Sequence, residues 1–559
     1  MFNILSFLDK DKTPSDPLEN RKSAIRWLNE LPGTDTFASH AKILDALIRL
    51  RNRNANYDVE KLEVLIALDE YARPLQAILN EQYLRNTRMS TAMETKLWQA
   101  IYAFYNEINL AYYSYITVNI ADPNISKLAP FLPQITLRAL HDLGNLFKWR
   151  FFHYDQPDEK LWRMLHKLYR IAEAQGFINR AIPLYAATES TCSEQYVRAL
   201  LLTQIHPSAL PAKQIEMADN WLLKWVRLVH LEKSPNPEQH HFYVDLAKPC
   251  GAAAVTDQIY PSTCLCWDAS TLLGQLRRTR EDLLAKKDAA QLGTDVRLPE
   301  YLRMLDYVEQ QWDPANQGKL RKSPRIATKK LLAVVHGYNA ICTVVKNSTP
   351  DNTRIQEYDA DIKYAEMVDI QLYGFITEST RSRAHQSTPQ PRLTETHSEN
   401  WGMEDESGEG YCARIPSDKN DWLRLSQLVG VKAEHDTQWK VAVVRRLFRA
   451  PSSGTHVGME VLAQTPNLLM FNALNPNVTL AESEHVISTE LPIPILTTSA
   501  IVNGQLSLII DSANYTGNRL FKVTVGSTLS IVKLTRVLEK GDAWIHVQAS
   551  ITSLAPQPG

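Results

Sequence analysis

The hydrophobic period of this 559-residue chain changes near residue 315, and that change limits most strongly what it can fold into. Before it, apolar residues recur every three or four positions. After Pro157-Asp158-Glu159, the residues Leu161, Leu165, Leu168 and Ala172 form one helical face, and Gly176 stands where a C-terminal cap belongs. After Pro211, Ile215, Ala218, Leu222, Trp225 and Leu228 form another. Trp27, Leu28 and Leu31 close a shorter helix before Pro32-Gly33. Residues from about Lys22 to Asp306 are therefore expected to be helical throughout. They read as a solenoid-like stack of helix pairs or an irregular bundle, with no strict repeat period. The tryptophans and tyrosines within these stripes read as core packing.

Asp313-Pro-Ala-Asn-Gln-Gly318 is rich in turn formers, and beyond it the period shortens to that of strands. Leu331 to Val335 is a β-like run, Tyr358 to Arg383 returns to a helical pattern, and His385 to Glu399 is a polar, Pro- and Thr-rich loop. From Trp401 the chain is mostly β. Val441–Val444 and Val457–Val461 flank a Ser-Ser-Gly turn ending at Gly454, Asn503-Gly504 is a hairpin signal, and Phe521, Val523 and Val525 alternate. The expected class is α+β and multidomain. A helical domain (1–310) precedes a β-barrel domain (311–470) with a helical insertion (349–398), then a C-terminal β segment (471–559). That last segment forms either a second small barrel or strands completing the first. The insertion is expected to project and to offer a protein or oligomer contact.

With 44% apolar and 22% charged residues, the chain can build sizeable cores. Its net charge of −1 gives no global field for nucleic acid, so any anion must be held by a local cluster. The first residues, Met1 to Leu8 and then Asp9-Lys-Asp-Lys12, lack the basic and apolar regions of a secretory signal. No apolar run is long enough for a membrane span, and a cytoplasmic protein is expected. The six cysteines form no CxxC pair, so neither disulfides nor zinc are implied. Cys264 and Cys266, near His240-His241, fit no common metal spacing and read as buried apolar residues. Phosphate-binding, metalloprotease and nucleophile-elbow motifs are absent, and His153, His166, His206 and His240 lack acid and nucleophile partners. A binding protein without a cofactor is expected, not an enzyme.

The chemistry gathers in Asp405-Glu-Ser-Gly-Glu-Gly410, which reads DxSxxG, and in Arg321-Lys-Ser-Pro-Arg325 upstream. A DxSxxG pattern arises by chance in about one chain in ten of this length. The RxxxR spacing alone carries little, since it recurs at Arg49/Arg53 and Arg445/Arg449. Order adds weight: the Arg pair precedes a strand, the hexapeptide opens the β-rich region, and Val441–Arg446 and Val457-Gly-Met-Glu-Val461 follow. In this order the segment from about residue 318 to 465 resembles a PilZ domain, the bacterial receptor module for cyclic di-GMP. The resemblance implies an antiparallel barrel. It also implies that Arg321 and Arg325 wrap the ligand through phosphate and the guanine Hoogsteen edge, with Asp405 and Ser407 contacting base or phosphate. Gly410 would permit close backbone approach. These residue types suit the tasks. Guanidinium offers a planar fork, carboxylate accepts from guanine N1–H and N2–H, and glycine has no Cβ. The long interval between Arg325 and Asp405 departs from the family pattern, which leaves Arg381-Ser-Arg383 as a competing ligand arm. The expectation is a cyclic di-GMP effector whose helical domain carries the output to a protein partner, with homo-oligomerisation open. The alternative is a nucleotide-independent scaffold with a degenerate barrel.

Overall fold

The structure is a computed structural model. It describes residues 16–53, 57–86, 89–121, 127–185, 188–285, 297–316, 324–348, 360–381, 398–415, 420, 422–450, 454–474, 492–498, 504–525 and 528–553. The chain divides into two compact units, Met1–Lys319 and Leu320–Gly559.

The first unit opens with α1 (Arg21–Asn29), α2 (Thr36–Arg53), α3 (Val59–Arg85), α4 (Thr91–Ala121), α5 (Leu132–Phe152) and α6 (Glu159–Ala174). A hairpin of β1 (Ile182–Tyr185) and β2 (Thr188–Ser190) leads to α7 (Cys192–Gln204) and α8 (Ala212–Trp225). Then come β3 (Glu232–Lys233), β4 (Phe242–Asp245), β5 (Ala253–Ala254) and β6 (Cys264–Trp267), and finally α9 (Ser270–Leu284) and α10 (Leu298–Trp312). The starts are set locally. Asn20, Asp58 and Asp158 each accept a hydrogen bond from a first-turn amide, and Thr191 with Glu194 closes a capping box.

Helix α5 is the hub of this unit and is buried along most of its length, its polar residues included. Its buried charged residues are paired, as buried charge requires. Arg138 contacts Glu70 (2.7 Å) and Asp142 contacts Arg73 (2.8 Å). Lys148 contacts Asp219 (2.8 Å), and Asp219 also holds Arg198 of α7 (2.6 Å). The arrangement is a helical bundle around α5. It departs from the all-helical expectation for residues 22–306 at the β1–β2 hairpin and at the sheet ordered β3-β6-β4-β5. The reason is local. Phe242-Tyr-Val and Cys264-Leu-Cys-Trp are too short for a helical stripe, rich in aromatic and apolar residues, and separated by Pro249 and Pro261. Cys264 and Cys266 are buried in β6, and no three His, Cys, Asp or Glu residues converge as metal ligands among the described residues. No helix among them is long and apolar enough to cross a membrane.

The second unit holds two closed six-stranded antiparallel barrels. The first is built from β7 (Ile326–His336), followed by α11 (Tyr338–Asn347) and α12 (Ala360–Tyr373), then β8 (Glu399–Ser407), β9 (Gly410–Ile415), β10 (Leu428–Ala433), β11 (Lys440–Ala450) and β12 (Gly454–Ala463). Its strand order is β10-β11-β12-β9-β8-β7. The second uses β13 (Asn467–Ala473), β14 (Ile493–Thr497), β15 (Gln505–Asp511), β16 (Leu520–Val525), β17 (Thr528–Lys540) and β18 (Trp544–Ser553), in the order β13-β14-β15-β18-β17-β16. The C-terminal segment thus closes on itself instead of completing the first barrel. Its own core includes Phe471, Phe521 and Val523.

Helix α11, unexpected from the sequence, lies between the barrels. Tyr338, Ile341 and Val345 share one apolar cluster with Val443 of the first barrel and Leu496, Ile509 and Trp544 of the second. The Tyr338 hydroxyl reaches the carbonyls of Pro494 (3.0 Å) and Ile509 (2.8 Å). Trp544 Nε1 donates to Ser426 O (2.9 Å). Within the insertion, residues 349–359 and 382–397, hence most of the expected loop, lie outside the described residues. The described part does not project. Ile370 and Ile376 pack with Leu331 of β7, and the Gly374 carbonyl comes so near Gly402 of β8 that a Cβ there would lie 2.6 Å from it. Tyr364, Leu372 and Tyr373 remain exposed.

Candidate functional site

The DxSxxG residues form the end of β8, a two-residue turn and the start of β9, with Ser407 opposite Gly410 in register. The turn is fixed from outside. Gln464 Nε2 donates to Gly408 O (2.8 Å) and Val461 N to Glu409 O (2.8 Å). Ser407 Oγ donates to Gly410 O (3.3 Å). Gly410 sits under β12, where a Cβ would lie 2.1 Å from Met459 O, so this register requires glycine.

Strand β7 lies on the other side of β8, with Ile326 opposite Glu406 and Ala327 opposite Asp405. That pairing brings Arg325 beside Asp405 although they are 80 positions apart, and Arg325 Nη1 donates to Asp405 Oδ2 (2.9 Å). The next pair along is Lys330 Nζ to Glu406 Oε1 (2.9 Å). Both are part-exposed, so they sit within reach of a ligand.

The alternation of β9 and β12 turns Cys412, Arg414 and His456 outward, while Ala413 and Val457 fill the barrel. These outward residues meet at Glu404, which accepts from Arg414 Nε (2.7 Å) and lies 2.6 Å from His456 Nδ1. Burial opposes ionisation of Glu404, but the hydrogen bonds from His456 and Arg414 outweigh it and hold its carboxyl below the usual range. Burial, aided by the Asp405 and Glu404 charges, pushes the Cys412 thiol up to about 12, so it is no nucleophile near neutrality. The surface offers alternating acids and bases around a glycine-backed turn, an arrangement suited to holding a ligand with hydrogen-bonding edges and anionic groups.

Of the residues singled out in sequence, the fold brings Arg325, Asp405, Ser407 and Gly410 together. Arg321 lies outside the described residues, as does Arg383. Arg381, half of the arm that competes with Arg321/Arg325, lies 4.0 Å from Glu399. Lys330, Glu404, Arg414 and His456 carry no motif, and the period-2 alternation of their strands is the one signal that places them outward. Arg445, part of a chance RxxxR, is committed through Nε to Glu460 (2.6 Å) and through Nη1 and Nη2 to Glu539 of the second barrel.

Comparison with known proteins follows the same division of the chain. Residues 22–238 match the family model of the N-terminal domain of the cyclic-di-GMP receptor FimW, and residues 343–467 match that of its middle PilZ domain. The second match contains Asp405, Ser407 and Gly410 and begins after Arg325. The cyclic-di-GMP receptor FimW of Pseudomonas aeruginosa is 24% identical over 474 residues, covering 78% of this chain and 76% of its own length. The chain therefore carries in its C-terminal part a domain of the PilZ family, preceded in sequence by a helical region like that of a cyclic-di-GMP receptor.

Proposed function

We propose that this protein is a cytoplasmic cyclic di-GMP effector, not an enzyme. Its first barrel binds the dinucleotide at the β8–β9 hairpin, and its helical unit passes the signal on by protein contact. The observation that carries the reading is the meeting of Arg325 with Asp405 beside Ser407 and Gly410, across 80 positions of chain. Arg325 is suited to phosphate or the guanine Hoogsteen edge, and Asp405 to guanine N1–H and N2–H. Each satisfies the other across the two strands, so binding exchanges one ion pair for two ligand contacts. Arg321 completes the arm in this reading.

Calorimetric titration with cyclic di-GMP, with GTP and cyclic AMP as controls, tests this. The wild-type protein binds the dinucleotide selectively, and Arg325→Ala or Asp405→Ala weakens binding by at least about tenfold. No heat with micromolar dinucleotide removes the reading. A nucleotide-independent scaffold would then stand. It is favoured by the same Arg325–Asp405 pair, which needs no ligand to be satisfied, and by the shared core of the two barrels.

A further inference from the structure

The helical unit contains a cleft of about 830 Å³ between α6 and the 246–252 loop after β4. Lys160, Arg163, Lys167 and Arg170 of α6 line it, spaced by three, four and three residues. They therefore form one stripe, about 15 Å long at the helical rise per residue. Lys248 faces them from the loop. Lys160, Lys167 and Arg170 are exposed and have no acidic partner among the described residues. Lys167 stands over the Tyr113 ring (5.2 Å). Arg163 pairs with Glu159 (2.7 Å), and Lys248 lies 3.7 Å from Asp245. In a chain of net charge −1, a line in which Lys160, Lys167 and Arg170 stand without acidic partners, and only Arg163 meets a carboxylate, is a local feature with its own field.

The opposite wall is built in advance. Asp245 Oδ1 accepts from Ala247 N (3.0 Å) and from Thr263 Oγ1 (2.6 Å), which sets the turn carrying Lys248. His166, beneath the stripe, lies 3.1 Å from Cys250 O through Nε2 and 2.8 Å from the Tyr196 hydroxyl through Nδ1. Since Nε2 faces a carbonyl, it is the protonated nitrogen, and Nδ1 accepts from the tyrosine. Burial holds this imidazole neutral, at about 4, so it serves as a clamp and not as a sixth charge. Gly251 packs so tightly on Trp162 that a Cβ would lie 3.0 Å from the indole.

We infer that this cleft is the docking site for an acidic segment of a partner polypeptide. The cations are strung along the helix instead of converging on one point, which suits successive carboxylates better than a single phosphate. Acidic side chains on one face of an extended segment recur about every 7 Å, so about three of them fit along the stripe. Tyr113, Ala247 and Pro249 offer apolar ground for the residues between them. The inference gives a chemistry to the output partner proposed above and rests on that reading for the role of the helical unit.

The test is fluorescence anisotropy with the full chain and a labelled peptide of alternating Glu and Leu, with the Lys-Leu counterpart as control, at low ionic strength. The Glu peptide binds saturably and the Lys peptide does not. Lys167→Glu/Arg170→Glu weakens binding by at least about tenfold, as does Lys248→Glu on the other wall, and added salt weakens it in the wild type. Each variant keeps its far-UV circular dichroism, its melting temperature and its response to cyclic di-GMP, which separates failure here from failure of the nucleotide reading. Equal binding by wild type and charge-reversed variants overturns the inference, as does absence of binding by the wild type. Cosedimentation with phosphatidylglycerol vesicles, lost in the same variants while the peptide stays unbound, overturns it in favour of a lipid surface.

Discussion

Asp405 and Gly410 sit five positions apart in one hairpin and carry opposite kinds of constraint. The Arg325–Asp405 pair is part-exposed, with side chains 35% and 24% accessible, so its loss costs folding only about 0–1 kcal/mol. Asp405→Ala should leave the thermal midpoint nearly unchanged while abolishing most dinucleotide affinity. A large drop in stability would mark the pair as structural. Gly410→Ala should do the reverse first. With Met459 O at 2.1 Å from the added Cβ, β9 and β12 must separate, and denaturant unfolding should show a loss of about 1–3 kcal/mol. Both residues were legible in sequence because a short motif packs them together. Arg414, His456 and Glu404 were not, because no spacing rule links three strands before their register is known.

Helices α2 and α6 each bury a histidine and α5 half-buries one, and this makes the helical unit acid-sensitive. Burial lowers His40 and His166 from 6.5 to about 4, and burial with the nearby Arg198 and Arg73 charges holds His141 well below its ordinary value. The unfolded chain binds protons at these sites before the folded one does. Their contribution is therefore fully present above pH 6.5 and is lost as pH falls towards 4. At pH 5 this amounts to about 2 kcal/mol for each of His40 and His166. Stability measured by urea unfolding should fall over that window. His40→Leu should flatten the slope, since both ring nitrogens of His40 are buried without a hydrogen-bond partner. An unchanged slope would show that His40 does not titrate on unfolding. At this scale the helices after Pro157 and Pro211 were readable from period and caps, since each needs only its own neighbours. Helix α11 was not read, although Tyr338, Ile341, Cys342 and Val345 fall at helical spacing. Its β-branched content and the strand before it resemble one continuous β run.

For the second unit taken whole, the barrels share a core and a polar clamp. Trp544 lies 2% exposed among residues of both barrels, and Arg445 of one grips Glu539 of the other. They should therefore unfold together. Trp544→Ala should cost about 3–5 kcal/mol and lower a single calorimetric transition for both barrels. Two separated transitions in the wild type would show that the shared core does not couple them. The Arg445–Glu539 bond also ties β11, separated by β12 from the β8–β9 hairpin, to the second barrel, a link no reading of Arg445/Arg449 as a motif would suggest.

What the amino-acid sequence determined by itself is what depends on near neighbours. The helical and β halves follow from hydrophobic period, the helix starts from caps, and the hairpin holding Asp405, Ser407 and Gly410 from a hexapeptide. Tertiary structure decided what depends on pairing between distant segments. It closed the last strands into a barrel of their own, laid the described part of the insertion against β7 and β8, and interrupted the helical region with short strands. It also brought Arg325 across to Asp405. Strand register is set by partners far along the chain, and a period of two residues says which face a side chain takes but not which strand lies beside it.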